Sequence, residues 1–349
     1  MKELIINPDC SVKQALKALS KAGEKCLIVA GENKILLGTL SDGDLRKAIL
    51  KGVKVGDSIK GIYQSKPTVL IEDKYQLDEV KKIFVSKRFD LIPVVDQNGK
   101  IVDTLTWGKI FNNRNQKKHQ SLNIPVVIMA GGKGTRLEPF TKVLPKPLVP
   151  IHEKPIIEHI IARFTDVGVN EFILTVNYKA HIMKAFFREL NPDYEIDFVE
   201  ENKPLGTAGS LKLLEQRFER PFLVTNCDTI IKIDYVDLYR FHQKNNYDIT
   251  LVASMKKYTI PYGTCELNDE GHLKQINEKP EYDFLVNTGL YVLNHDVLKF
   301  IPKDKLYHIT QLIVDVTKKG KSVGVYPIDD DAWIDVGEWT EYQKAVDQF

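Results

Sequence analysis

Residues Gly131-Gly132-Lys133-Gly134-Thr135-Arg136 follow directly on an apolar run, Val126-Val127-Ile128-Met129-Ala130. Such a run reads as a buried parallel strand. Glycines just past a strand let the backbone turn tightly and aim successive N–H groups at one anion. Ala130, Gly131, Gly132, Gly134 and Thr135 would line that turn, with Arg136 and Lys146 adding positive charge at its two ends. The combination suits a nucleoside triphosphate whose phosphates are to be attacked and not merely held. A dinucleotide fingerprint would need a third glycine where Leu137 stands. A P-loop would need Gly-Lys followed by Ser or Thr, whereas Lys133 is followed by Gly134. Gly-Gly-x-Gly alone would fit an ordinary turn. The further Leu137, Pro139, Thr141 and Pro145-Lys146-Pro147-Leu148, at fixed offsets, speak for phosphate chemistry.

With these residues in view, the segment resembles the signature of sugar-1-phosphate nucleotidyltransferases, the nucleotide-diphosphosugar pyrophosphorylases, over about residues 124–349. The resemblance implies that the glycine loop holds the triphosphate, that Arg136 stabilises charge building on the phosphates, and that Lys146 contacts the reacting phosphates. It also implies Mg²⁺ held by Asp228, directly after a strand-like run, and by Asp335 in Trp333-Ile334-Asp335-Val336-Gly337. Glu201, Gly206 and Thr207 match the base- and sugar-recognition loop. A carboxylate at Glu201 accepts two hydrogen bonds, which suits guanine N1–H and N2–H₂ and favours GTP over UTP or dTTP. A surface acid beside Lys203 is the plainer reading of Glu201. Gly263, Glu278, Lys279 and Asn287 match the sugar-phosphate half.

These residues need a scaffold that gathers them. Helix-like residues 155–167, 180–190 and 207–218 alternate with strand-like residues 171–176, 194–199 and 222–226. That order predicts an α/β, Rossmann-like, mostly parallel sheet with helices on both faces, whose ligands sit beyond the strand C-termini. The fold the resemblance implies is the nucleotide-diphospho-sugar transferase fold. His308 opens an apolar-periodic helix and is expected to start it, not to act as a base.

The first 111 residues hold an internal repeat, about 1–60 and 61–111, with Thr39-Leu40-Ser41 equivalent to Thr104-Leu105-Thr106. It resembles an α+β CBS-domain pair of βαββα-type units. That resemblance implies an adenine nucleotide contacted by Thr39, Ser41 and Asp44 of the first copy and Thr106 of the second. Lys109 stands where the second aspartate would be, which puts that ribose contact in question. A dimerisation module without ligand is the competing reading. Residues 112–123 are polar and read as a linker. The catalytic domain is then 124–349.

A chain of 349 residues with 43% hydrophobic and 28% charged content is long enough for two globular domains. Net charge +2 argues against a nucleic-acid partner, and no apolar run reaches membrane-spanning length. Four cysteines without Cys-x-x-Cys spacing read as buried thiols, and a cytoplasmic homo-oligomer is expected. A CBS pair ahead of this catalytic domain is similar to the guanylyltransferases of bacterial nonulosonic acid pathways. It implies glucosamine 1-phosphate as acceptor on the route to legionaminic acid. Mannose or heptose 1-phosphate with GTP is the near alternative, and uridylyl or thymidylyl transfer a further one. A catalytically inactive nucleotide-sensing regulator is the alternative from another class.

Overall fold

The computed structural model describes residues 4–22, 24–87, 89–111 and 121–348. They form two compact units divided between residues 113 and 114. The first contains β1 (Ile5–Ile6), α1 (Val12–Ala22), β2 (Cys26–Ala30), β3 (Leu36–Ser41) and α2 (Asp42–Leu50). The same order recurs as β4 (Leu70–Ile71), α3 (Leu77–Lys87), β5 (Leu91–Val95), β6 (Ile101–Thr106) and α4 (Trp107–Phe111). In each copy the short first strand pairs parallel and the third antiparallel to the second, with a register shift near the same end. Cys26 faces Ser41 as Leu91 faces Thr106. The repeat in the sequence is thus a repeat of topology.

The second unit begins with β7 (Val126–Ala130), α5 (Phe140–Val143), β8 (Pro150–Ile151), β9 (Lys154–Pro155) and α6 (Ile156–Thr165). Then come β10 (Glu171–Val176), α7 (Ala180–Leu190), β11 (Glu195–Glu200), α8 (Gly206–Gly209), β12 (Phe222–Asn226) and β13 (Thr229–Ile231). They are followed by α9 (Tyr235–Lys244), β14 (Ile249–Thr259), β15 (Thr264–Leu267), β16 (Leu273–Asn277) and β17 (Glu281–Leu293). The last elements are α10 (Ile309–Lys318), β18 (Val323–Ile328), β19 (Trp333–Asp335) and α11 (Trp339–Gln348).

Seven strands make one sheet in the order β11-β10-β7-β12-β17-β14-β18. The first four are mutually parallel, β17 is antiparallel to both neighbours, and β14 and β18 are parallel. Alternation along β7 sends Val126, Ile128 and Ala130 into one core and Val127 and Met129 into another. Both faces are covered, as a parallel sheet requires. The chain runs from β7 outward to β11, then returns to add β12 on the other side of β7. A crevice opens at such a reversal.

Three expectations need adjustment. Residues 207–218 are not one helix, because α8 gives way to a 3₁₀ turn at Ser210–Leu214. The first-turn N–H groups of Ala208 and Gly209 both donate to the Tyr307 carbonyl, 3.0 Å each, which ties the start of α8 to a distant segment. Ser121–Asn123, at the end of the expected linker, belong to the second unit. Leu122 is buried and its N–H donates to Val167 O at 2.8 Å; residues 112–120 fall outside the described residues. All four cysteines are free, but only Cys26 and Cys227 are buried, their thiols pushed up to about 12 by that burial. Cys265 is exposed, on the ribbon formed by β15 and β16 alone. Among the described residues no helix is long and apolar enough to cross a membrane.

Candidate active site

The glycine loop leaves the C-terminal end of β7 and Asp228 follows the end of β12, the adjacent parallel strand. Gly134 adopts φ +68°, and a Cβ there would lie 2.9 Å from Lys146 Cβ and 3.0 Å from Thr141 Cγ2. Positive φ and the crowding both require glycine. The Thr141 hydroxyl donates to the Gly134 carbonyl at 2.9 Å, and Lys179 Nζ donates to the Thr141 and Lys142 carbonyls at 3.2 and 2.6 Å. Those bonds hold the loop from behind. Thr141, buried, is one of the offsets already read in the sequence, whereas Lys179 carries no local signal that distinguishes it from other lysines. Beside Gly132 a Cβ would meet no atom within 4 Å, so this stretch borders open space.

Lys146 is buried and ion-paired to Asp228. Strand β19 pairs antiparallel with β13 so that Asp335 stands opposite Thr229, and Val336 N–H donates to Asp228 O at 2.9 Å. Around buried Gly337, a Cβ would lie 2.9 Å from Asp335 Oδ1, 3.0 Å from Asp228 Oδ2 and 3.4 Å from Lys146 Nζ. Two carboxylates and one ammonium therefore converge on a glycine with no side chain to separate them. Burial, joined by the charge of Asp228, raises the Asp335 carboxyl above the ordinary carboxylate range, against the Gly337 N–H, Lys146 and Arg136.

That shift has a consequence for stability. A carboxyl whose folded-state value is raised carries a cost when ionised. The cost is full above the folded value and is relieved as pH falls toward the unfolded value. Asp335→Asn keeps an oxygen for the Gly337 N–H, a 2.7 Å bond, and removes the charge. The variant should melt above the parent at neutral pH, with the difference vanishing in acid. Thermal denaturation across pH checks it.

The donor set suits Mg²⁺, which takes one or two carboxylates and leaves its other positions to phosphates and water. Among the described residues no group of three or more His, Cys, Asp or Glu could hold a metal. A centre here would be the two-carboxylate kind, with Lys146 partly neutralising it until phosphates arrive.

Glu201 is not a surface acid: it is 7% exposed. Its Oε2 accepts the Leu205 N–H at 3.0 Å, and Oε1 abuts Gly131 closely enough that a Cβ there would collide with it. Burial raises its carboxyl, and the Leu205 N–H opposes the shift. Glu201 thus belongs to the wall beside the glycine loop, which its exposed neighbours Asn202 and Lys203 would not suggest. The glycines at 206 and 209 serve packing: a Cβ would lie 2.7 Å from Tyr307 O at the first and 2.8 Å from Lys305 O at the second. The Thr207 hydroxyl accepts the Ile309 N–H at 3.0 Å, and His308 caps α10, as a helix-start residue should.

Arg136 is exposed and pairs with Glu338, Nη1 to Oε1 2.7 Å. Gly263 and Glu278 meet just outside the paired ends of β15 and β16, where a Gly263 Cβ would lie 3.1 Å from Glu278 Oε2, and exposed Lys279 adopts φ +44°. Asn287, on β17, donates to Tyr291 OH at 2.7 Å, while neighbouring Thr288 O accepts the Thr229 hydroxyl. The structure therefore brings Lys146, Asp228, Asp335 and Arg136 together, with Glu201 and Gly131 as a second pair.

In the first unit, Ser41 and Asp44 form a reciprocal cap on α2. The Ser41 hydroxyl donates to Asp44 Oδ2 at 2.6 Å and accepts the Asp44 N–H at 3.1 Å. Thr39 exchanges backbone hydrogen bonds with Gln64. Buried Thr106 accepts the Lys109 N–H, and Lys109 Nζ turns back to Asp103 Oδ1 and Thr104 O at 2.8 Å each.

Residues 125–349 match the Nucleotidyl transferase family and residues 1–51 the CBS domain. A mannose-1-phosphate guanyltransferase of Yarrowia lipolytica is 38% identical over 185 residues, 50% of this chain and 50% of that protein. One from Schizosaccharomyces pombe is 33% identical over 226 residues, 62% and 61% of the two. The chain spans about half the length of the first of these relatives. The crystal structure of HddC from Yersinia pseudotuberculosis is 29% identical, with TM-score 0.51, covering 65% of this chain and 99% of that one. HddC has also been solved complexed with GMP-PN.

Proposed function

Because the chain belongs to the Nucleotidyl transferase family, we propose that it transfers a guanylyl group from GTP to a sugar 1-phosphate, releasing pyrophosphate. The observation that carries the reading is the convergence of Lys146, Asp228 and Asp335 on Gly337, beside a glycine loop open at Gly132. A phosphate oxygen of the sugar 1-phosphate attacks the α-phosphorus in line, the bond to the β-phosphate oxygen breaks, and pyrophosphate leaves. The nucleophile is already an anion, so no side chain need take its proton. Catalysis then rests on alignment and charge stabilisation.

In this reading the loop amides and Arg136 receive the leaving pyrophosphate, and Lys146 sits against the reacting phosphates. Gly263, Glu278, Lys279 and Asn287 receive the sugar phosphate. Asp228 and Asp335 would hold Mg²⁺, which would supply positive charge to offset that of the phosphates. The base choice rests on Glu201 and on the guanine nucleotide bound by HddC. For the sugar, the names of the relatives favour mannose 1-phosphate. Glucosamine 1-phosphate in a legionaminic-type pathway is the second reading, and it rests only on the resemblance of the domain order, a CBS domain ahead of the catalytic one. The CBS unit would bind an adenine nucleotide through Ser41 and Asp44.

Pyrophosphate release measured across NTPs and sugar 1-phosphates, with and without EDTA, tests the reading. GTP with mannose or glucosamine 1-phosphate should be the best pair, and EDTA should abolish turnover. Glu201→Gln turns one acceptor into a donor facing guanine N–H groups, and should weaken GTP use on the order of 10-fold or more while sparing UTP. Equal loss with every nucleotide would remove Glu201 from the base edge.

A further inference from the structure

The ion pair between Arg136 and Glu338 joins two pieces of backbone that are themselves clamped together. Phe140 of α5 lies 5.5 Å from the Trp339 ring and 6.1 Å from the Tyr342 ring, and Trp339 and Tyr342 stack at 5.6 Å. Tyr342 N–H donates to Glu338 O at 2.8 Å, and Tyr342 OH reaches Pro150 O. The end of the glycine loop and the start of α11 thus share one aromatic clamp. Across it the two charged side chains, 63% and 53% exposed, remain free to rearrange. A guanidinium meets a carboxylate and a phosphate with the same planar fork. Glu338 therefore offers Arg136 the contact that a phosphate would offer.

We infer that Glu338 is a positioning residue that occupies Arg136 in place of a phosphate, setting how tightly the chain holds a triphosphate and how readily it lets pyrophosphate go. The inference rests on the nucleotidyl-transfer reading, in which Arg136 faces the leaving group. Binding then exchanges one Arg136 partner for another, and release restores the first. Of the other nearby acids, Glu138 is turned to Lys142 at 3.3 Å and Asp335 to the Gly337 N–H. Glu338 is the acid in direct contact with Arg136.

Calorimetric titration of the full chain with inorganic pyrophosphate, and with GTP, tests this in wild type, Glu338→Gln, Arg136→Ala and the double variant. Glu338→Gln should bind pyrophosphate about two- to fivefold more tightly, the scale of an exposed ion pair, and the gain should shrink in high salt. In the Arg136→Ala background the same change should have little effect, since the partner is gone. A Gln variant indistinguishable from a wild type that binds both ligands overturns the inference alone. So does an equal gain without Arg136, which would make Glu338 a general repellent of anions. A wild type that binds neither ligand overturns the nucleotidyl-transfer reading and the inference with it.

Discussion

Asp228→Asn should fold, bind GTP, and lose at least about 10²-fold in kcat, the scale of removing one group aimed at developing charge. A neutral amide keeps the shape of the side chain but is a poor Mg²⁺ ligand. The fold should tolerate the change because Lys146 does not lose its only acid. Asp335 approaches the same Gly337 position, and its own carboxyl is raised in part by Asp228. Removing one of two like charges offsets much of what the broken ion pair costs. Melting within a few degrees of the parent, alongside the collapse in kcat, is the expected pattern. Near-normal turnover at ordinary magnesium levels would remove Asp228 from the metal.

Lys146→Ala should also cost about 10²-fold or more in kcat, but with the opposite signature in stability. Here the ammonium goes and two partly buried carboxylates remain facing each other. Losing one partner of a buried pair leaves an uncompensated charge. The Asp335 carboxyl, already raised, rises further, so the deficit is largest at neutral pH and shrinks as pH is lowered through its folded-state value. Denaturation curves at neutral and mildly acid pH, run beside the kinetic assay, separate this from Asp228→Asn. A variant as stable as the parent at every pH would show that Lys146 does not neutralise the pair.

Much of the scaffold is legible because its signals are local. The apolar runs at 126–130, 171–176 and 222–226 are strands at those positions, and 180–190 is a helix with those bounds. Each run is continuous because covering layers bury both faces of a parallel sheet, and that leaves a mark on the chain itself. The glycine loop after β7, the βαββα repeat and His308 at a helix start are likewise written in adjacent residues. The short helix after Gly206 was not legible, because Tyr307, which accepts from its first turn, lies far along the chain.

The site divides in the same way. Residue types and order by themselves singled out a glycine loop after one strand, a carboxylate after another, and a late Asp-Val-Gly stretch as candidates for one chemistry. Only the tertiary structure decided that Asp335 stands beside Asp228 through the β13–β19 pairing and that Glu201 is a buried wall of the loop. It alone set Arg136 against Glu338 and gave Gly206 and Gly209 to packing. The reason is physical. Strand and helix periodicity reports which face of an element is buried, a property each segment carries alone. Which carboxylate meets which cation depends on sheet order and register between distant segments, and no single segment holds that information.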